Sequence, residues 1–464
     1  MDLGGTWRAA VADDDLRRVY VEPSYDDSEW IAVEIPGHWR SSPALASSDG
    51  PILYRRSFAT DELAVGQRAW LELDGVFYQS DVYLNDGYLG DTEGYFFPHR
   101  FEITDQLAER QDHVLAVEVA SSPPSDLGAK RNVTGVFDHW DAMDPDANAG
   151  GIWRPVRITT TGPIRILHYR CLCSDASPDS ATVSLRAVLG ATEPTDIELC
   201  TTLRRPTGET EQHQDIHELA AGENRVEWDV PVESPDLWWP HTLGEPHLHH
   251  VEVTVREVDG DVSDRRDHPI GLRSFELDNW IASVNGERLY LKGAHQGPAR
   301  LDPANATPDD FRRDVDLAVD CGLDLLRIHG HVSRPELYDA ADEAGLLLWQ
   351  DFPLQWGYAR QVLKQARRQA REMVDLLAHH PSVAIWCAHD EPVTVDVPPE
   401  SRTDSDERPV SLMKTALEHQ LPTWNRTRLD TSVKRVIAKS DGSRPVIPHS
   451  GVFPHPPQLD GTDS

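Results

Sequence analysis

The 464-residue chain carries 78 Asp and Glu against 44 Lys and Arg, for a formal charge of −34, and is 39% hydrophobic with 14 Trp. That apolar and aromatic content excludes wholesale disorder, and the length allows about three domains at roughly 150 residues each. The charge repels nucleic-acid phosphate and anionic lipid, so neither nucleic acid nor membrane is an expected partner.

The acids are spread through every segment, and Arg far outnumbers Lys. This pattern suits a solvated acidic surface in high salt, where screening weakens self-repulsion, so a halophilic protein is expected. The start at Met1-Asp2-Leu3-Gly4-Gly5 has neither a basic stretch nor an apolar run. No window approaches the ~18 apolar residues of a membrane span, and a soluble, cytoplasmic protein is expected. Cys171, Cys173, Cys200, Cys321 and Cys387 make an odd count without a C-x-x-C pair. They read as buried free thiols rather than a disulfide framework or a zinc site.

From the start to residue 161 the pattern is short strand-like runs broken by turns, such as Ala69-Trp-Leu-Glu-Leu73 and Asp81-Val-Tyr-Leu-Asn85. Asp86-Gly87 follows the second run and suits a type I′ hairpin, since Gly tolerates positive φ. A second all-β unit is expected over 162–272, with strands around Thr182–Val188 and His250–Arg256 and a polar loop around Thr207–His213. Their spacing fits a small sandwich.

Over 273–464 short apolar runs alternate with segments of 3.6-residue period, which predicts repeated βα units and a parallel sheet. The runs are Leu289–Leu291, Leu325–Ile328, Leu346–Trp349, Val383–Cys387 and Pro445–Ile447. Thr307-Pro308 predicts a helix start with Phe311, Val315, Ala318 and Val319 facing inward, and a second helix ends at Gly345. A third helix carries Val362, Ala366, Ala370, Met373, Val374 and Leu377 on one stripe. No Gly-rich nucleotide loop follows any strand, so part of a (β/α)8 barrel is preferred to a doubly wound sheet. Pro448, Pro454, Pro456 and Pro457 leave no room for three more units.

Residues that follow barrel strands sit at the C-terminal mouth, where barrel active sites are built. These ends are polar in succession: His295 and Gln296, then Arg327, His329 and His331, then Gln350 and Asp351, then His389, Asp390 and Glu391, then His449. Carboxylates beside Arg and His are the tools of general acid/base chemistry, because neighbours set which carboxyl stays protonated.

Val383-Ala-Ile-Trp-Cys-Ala-His-Asp-Glu-Pro392 resembles the strand-four signature of glycoside hydrolase family 2, among the retaining β-glycosidase barrels. Asn285–Gly293, Leu326–Gly330 and Leu347–Phe352 resemble its first three barrel strands, the last in the β-mannosidase-like branch. Upstream, Ile35–Trp39, Tyr54–Phe58, Gly150–Pro155 and Leu237–Pro240 are similar to landmarks of the family's sugar-binding jelly roll and immunoglobulin-like domain.

The resemblance implies a jelly roll over 1–161, an immunoglobulin-like sandwich over 162–272 and an incomplete TIM barrel of strands one to five over 273–464. It implies a β-glycoside substrate, no cofactor and no metal. Glu391 would be the general acid/base, and Arg327 would brace the nucleophile. Trp349, Gln350 and Asp351 would line the sugar subsite, Trp386 would support strand four, and His329 and His389 would support the site.

Two departures stand out. Asp390 replaces the usual Asn that donates to the sugar 2-hydroxyl, and an ionised carboxylate only accepts. Retention also requires a second carboxylate about 5 Å from the first, which in this family follows strand seven. The nucleophile is therefore not expected in these residues: either they are a fragment of a longer protein, or a separate chain completes the barrel, or the enzyme has decayed, and these residues alone are expected to be inactive. Two other readings stay open: a metal-dependent hydrolase using His329-Gly-His331 with other strand-end groups, and a non-catalytic glycan-binding protein.

Overall fold

The structure is a computed structural model that describes residues 1–121, 130–137, 149–300, 302–392 and 423–451; Pro454, Pro456 and Pro457 lie outside them. In the N-terminal part, strands Gly5–Val11, Ile31–Ile35, Ile52–Ala59, Gln79–Leu84, Gly87–Glu93 and Asp112–Ala120 form one antiparallel sheet, and Arg68–Leu73, His99–Glu102 and Val156–Thr161 form another. Trp7, Tyr54 and Val117 of the first share a buried core with Leu71, Leu73 and Ile158 of the second. The hairpin after Leu84 is shifted one residue from the expectation. Asn85 and Asp86 are its left-handed pair, with φ of 52° and 68°, because Asn tolerates this conformation and its side chain also accepts from Val114 N.

The next seven strands form two antiparallel sheets. One holds Ile164–Ala176, Ser180–Ala191 and Gly222–Glu233; the other holds Thr195–Arg204, Thr210–Leu219, His249–Glu257 and Val262–Ile270. Period-two alternation buries Val183, Leu185, Ala187 and Leu189 against Leu199, Val251 and Val253. The expected polar loop at 207–213 is mostly strand. Thr210–Leu219 pairs along Thr195–Arg204 as an edge strand exposed at most positions, so its polarity reflects solvent rather than a turn.

The α/β unit follows a small antiparallel sheet of Phe275–Asp278, Ile281–Val284 and Glu287–Leu289. Its elements are β1 (Gly293–Gln296), α1 (Pro308–Asp320), β2 (Leu325–Ile328), α2 (Pro335–Ala344), β3 (Leu347–Asp351), α3 (Leu363–Leu377), β4 (Val383–Cys387), α4 (Asp430–Ser440) and β5 (Val446–Ile447). The run expected as the first parallel strand, Leu289–Leu291, instead ends the antiparallel sheet, and β1 begins at Gly293. All neighbouring pairs from β1 to β5 are parallel and in chain order. A doubly wound sheet would reverse that order. The sheet is open: no closed barrel is present among the described residues.

The helix ends follow local chemistry. Thr307 Oγ1 accepts from Asp310 N while the Asp310 carboxylate accepts from Thr307 N, a reciprocal cap on α1. Gly345, at φ 69°, ends α2 in the left-handed conformation that disfavours a Cβ. Val362, Ala366, Ala370, Met373, Val374 and Leu377 are all buried on the α3 stripe.

One core joins the first and last units, with Phe77, Tyr95, Phe137 and Trp153 packing in a cluster that includes Leu337, Leu348 and Trp386. Tyr95 OH accepts from Val332 N at 2.8 Å, and Val136 N donates to Gly330 O at 3.0 Å, so the N-terminal unit holds the loop after β2. The thiols are not uniformly buried: Cys171, Cys173 and Cys387 are, Cys200 is half-buried, and Cys321 is exposed where α1 ends. Among the described residues no helix is long and apolar enough to cross a membrane.

Candidate active site

At the C-terminal ends of β2, β3 and β4, Arg327 ties two buried carboxylates together. Its Nε donates to Asp351 Oδ2 at 3.0 Å, and its Nη2 donates to Asp351 Oδ2 at 2.7 Å and Asp390 Oδ1 at 2.5 Å. Ser450 Oγ lies 2.6 Å from the same nitrogen and donates to Asp390 Oδ1 at 3.1 Å. Parallel strands make this possible, because Arg327 lies beside Trp349 in the β2–β3 register and the side chains at period two share a face. Trp349 Nε1 and Gly330 N donate to Asp351 at 3.0 and 3.1 Å. Its carboxylate thus accepts from Arg327, Trp349 and Gly330 N.

Asp390 has a second partner, since His329 Nε2 donates to its Oδ2 at 2.7 Å. Burial works against the Asp390 carboxylate, but His329 and Arg327 together outweigh it and hold the group at about 2. Asp351, fully buried and next to the Asp390 charge, is pushed upward by burial despite Arg327. The bond to Asp390 raises His329, so this imidazole is biased toward its charged form. His295 approaches the His329 ring at 5.5 Å and is lowered, by burial first and then by Arg327.

Glu391 stands one residue beyond this network. Its Oε2 accepts from Trp356 Nε1 at 2.9 Å, and its backbone N donates to Ser450 O at 2.9 Å. Both partners of the carboxylate bond sit in the left-handed region, Glu391 at φ 41° and Trp356 at φ 66°. Non-glycine residues hold such values at a cost of about 1–3 kcal/mol each, and they concentrate at functional sites. A Cβ added to Gly451 would lie 3.2 Å from Glu391 Oε1 and 3.3 Å from Asp390 Oδ1, so the two carboxylates border the same small space.

The remaining expected site residues divide by strand face. Gln350 points away from Trp349 and Asp351 into the helix layer. Its amide accepts from Tyr338 OH at 2.7 Å and donates to His331 O at 2.6 Å, which positions the loop after β2 and leaves nothing for a ligand. Trp386 also faces the helices and donates to Asp441 Oδ2 at 2.9 Å. His389 is buried with Nε2 2.8 Å from Trp356 O, and burial lowers it to about 3, so it supports the Trp356 loop as a neutral ring.

The metal reading gains nothing here. His331 Nδ1 bonds the His329 carbonyl at 3.0 Å, and His329 is committed to Asp390. The one group with metal-ligand spacing among the described residues is His168, Glu372 and Asp375, away from the strand ends, and Asp375 already accepts from Arg170 Nε at 2.5 Å.

Sequence reasoning missed Trp356 and Ser450. Both arrive through loop bridges, Gln355 to Asp390 and Asp390 to Ser450. The only sequence signal was position: each follows a parallel strand by a few residues.

The arrangement defines a class: two β-sheet units lead into a parallel α/β sheet whose strand ends carry clustered carboxylates, an Arg and a half-buried Trp. Known proteins place it more narrowly. The galactose-binding domain-like description of glycosyl hydrolase 2 matches residues 46–154, and the description "Glycosyl hydrolases family 2" matches residues 164–273. Residues 46–154 and 164–273 are thus similar to two domains of glycosyl hydrolase family 2.

Among its relatives, β-mannosidase B of Aspergillus clavatus is 24% identical over 78% of this chain and 46% of its own length. A mannosylglycoprotein endo-β-mannosidase of Lilium longiflorum is 27% identical over 73% and 40%. The fold matches a Bacteroides uniformis β-glucuronidase with a TM-score of 0.74 at 23% identity, covering 96% of this chain and 52% of that one. It also matches a β-D-mannosidase of Dictyoglomus thermophilum with a TM-score of 0.77 at 18% identity, covering 97% and 57%. The chain spans about half the length of the proteins it matches.

Proposed function

We propose that this polypeptide is the acid/base-bearing part of a retaining exo-β-glycosidase, with a terminal β-mannoside as its substrate. The carrying observation is the position of Glu391 at the end of β4, fixed by Trp356 and sharing a space with Asp390. In this reading the five parallel strands are the first five of a (β/α)8 barrel. The N-terminal unit, 1–161, is a jelly roll, 162–272 is an immunoglobulin-like sandwich, and the barrel starts near 273.

Glu391 protonates the glycosidic oxygen as the bond breaks, then removes a proton from water in the second step. Neither Asp351 nor Asp390 matches the position of the family's nucleophile, which follows strand seven. That carboxylate comes from barrel strands beyond the five described, in a further segment or a partner chain. Arg327 keeps positive charge at the rim where the nucleophile's carboxylate would sit. Trp349 offers an aromatic face to pyranose C–H groups, and Asp390 accepts from a sugar hydroxyl in place of a donor. The branch-specific likeness at Leu347–Phe352 and the β-mannosidase relatives support mannoside as the first sugar to test.

The test uses aryl β-mannosides, with β-glucuronides, β-galactosides and β-glucosaminides beside them, on the complete gene product. Glu391→Gln is expected to lose about 10²–10⁴-fold in kcat/KM on substrates with poor leaving groups. It should lose far less on dinitrophenyl glycosides, whose departure needs no proton. Equal losses on both, or none, would remove Glu391 from the role.

A further inference from the structure

The turn that carries Trp356 is held from outside the α/β unit. Lys130, on segment 130–137 of the N-terminal unit, lies beside Tyr358 in a parallel bridge. Its backbone N donates to Gly357 O at 3.2 Å, and Ala359 N donates to its O at 2.9 Å, so the two bonds straddle Tyr358. Within the turn, Tyr358 OH donates to Pro353 O and accepts from Gln355 N, both at 3.3 Å, which folds residues 353–358 back around Trp356. Trp356 sits there at φ 66°, a conformation that a non-glycine residue keeps only where its surroundings over-determine it.

The segment is itself firmly seated. Gly135 abuts the loops after both β2 and β3, since a Cβ there would lie 1.7 Å from Gly330 O and 3.1 Å from Pro353 Cα. Val133 N donates to Tyr78 OH at 2.8 Å, and Gln369 Nε2 on α3 donates to the same oxygen at 2.8 Å. Tyr78 and Gln369 are fully buried, so this end of the segment is anchored in the core between the two units.

The Lys130 side chain links the segment to the turn. Its ammonium donates to Gly135 O at 3.1 Å and lies 5.0 Å from the centre of the Tyr358 ring, and the residue is only 6% exposed. A charge so buried costs free energy unless it is compensated, and here a carbonyl and an aromatic face do so. One side chain therefore ties the bend of the segment to the ring whose hydroxyl shapes the turn. From the end of β4, His389 grips the same turn: its Nε2 bonds Trp356 O at 2.8 Å, and its ring meets Tyr358 edge-on at 5.8 Å.

We infer that Lys130 is a positioning residue for the acid/base: through Tyr358 and the Trp356 turn it fixes the indole N–H that donates to Glu391 Oε2, so the N-terminal unit sets where the proton donor stands. This rests on the reading of Glu391 as the acid/base. A proton donor works only within hydrogen-bond reach of its target, and a misplacement of about 1 Å caused far from the chemistry can cost about 10²-fold.

The experiment uses the complete protein with phenyl and dinitrophenyl glycosides of the sugar it hydrolyses. Lys130→Met should lose about 10–10²-fold in kcat/KM on the phenyl glycoside, but less than about threefold on the dinitrophenyl glycoside, which departs without a proton. In a Trp356→Phe background the same substitution should cost less than about threefold on either substrate, because the relay is already gone. In fluorotryptophan-labelled protein, the Trp356 fluorine resonance, assigned by its absence from Trp356→Phe, should move in Lys130→Met. Lys130→Arg, which keeps the charge, is the milder second variant and is read by the same criteria if Lys130→Met does not fold. Equal losses on the two substrates, additive losses in the double variant, or an unmoved Trp356 resonance would each overturn the proposal. Glu391→Gln, assayed beside them, separates the two ideas. Equal Glu391→Gln losses on both substrates would refute the acid/base reading and this inference with it, whereas a selective Glu391→Gln loss without a selective Lys130 loss would refute the role of Lys130 alone.

Discussion

Replacing Arg327 with Met would remove the cation that, among the described residues, joins Asp351 and Asp390. Asp351 is 0% exposed and Asp390 1%, and Arg327 donates to both, with three of its contacts on Asp351 alone. Removing one partner of a buried ion pair costs about 3–5 kcal/mol, because the charge left behind stays desolvated. At about 2–4 °C per kcal/mol for a unit of 150–250 residues, the α/β unit should melt about 6–20 °C lower at pH 7. The loss should depend on pH. Without Arg327 the carboxylates take up protons more readily in the folded state than in the unfolded chain, whose Asp titrates near about 3.9. The variant's deficit therefore shrinks as pH falls from 7 through about 4. Thermal melts of parent and variant at both pH values read this directly. A deficit under about 1 kcal/mol at pH 7, well below the range expected for breaking a buried pair, would refute the reasoning. So would a deficit equal at both pH values.

In the parent, Asp390 is held at about 2, so its contribution to stability is present above the ordinary Asp value and is lost as pH falls toward 2. His329 is raised, so its contribution is full below about 6.5 and fades as pH rises through the raised value. Melts from pH 2 to 9 should therefore decline at both ends, and Asp390→Asn should flatten both limbs. Gly451→Ala, with φ 73° and its new Cβ 2.4 Å from Glu391 Cγ, should displace Glu391 and lower kcat more than it raises KM in steady-state assays. Gly135→Ala would set a Cβ 1.7 Å from Gly330 O. It should destabilise the contact between the N-terminal unit and the β2 loop by about 1–3 kcal/mol, measured by urea denaturation. The acidic surface predicts stability that rises from low to molar KCl, and a flat series would remove the halophile reading.

Much of the α/β unit could be read because its signals are local. The Thr307–Asp310 reciprocal cap, the left-handed Gly345 and the α3 stripe each depend on residues a few positions apart. β1 was misplaced because Gly293–Gln296 is an exposed edge strand without an apolar run, whereas of Leu289–Leu291 only Leu289 lies in a strand, and that strand pairs antiparallel. The strand Thr210–Leu219 was hidden for a related reason: an edge strand solvated on both faces leaves little apolar alternation. Gln350 was grouped with mouth residues by position, yet period two sends it to the helix layer. Trp356 and Ser450 depend on bridges between loops far apart in sequence, which no local pattern encodes.

The most direct measurement on the central claim adds azide to Glu391→Gln of the complete protein during turnover of a dinitrophenyl β-mannoside, with products identified by NMR. Azide needs no general base, so it should restore turnover and yield a glycosyl azide of retained β configuration. An α-configured azide, or parental activity without any azide product, would contradict the assignment of Glu391 as the acid/base of a retaining glycosidase.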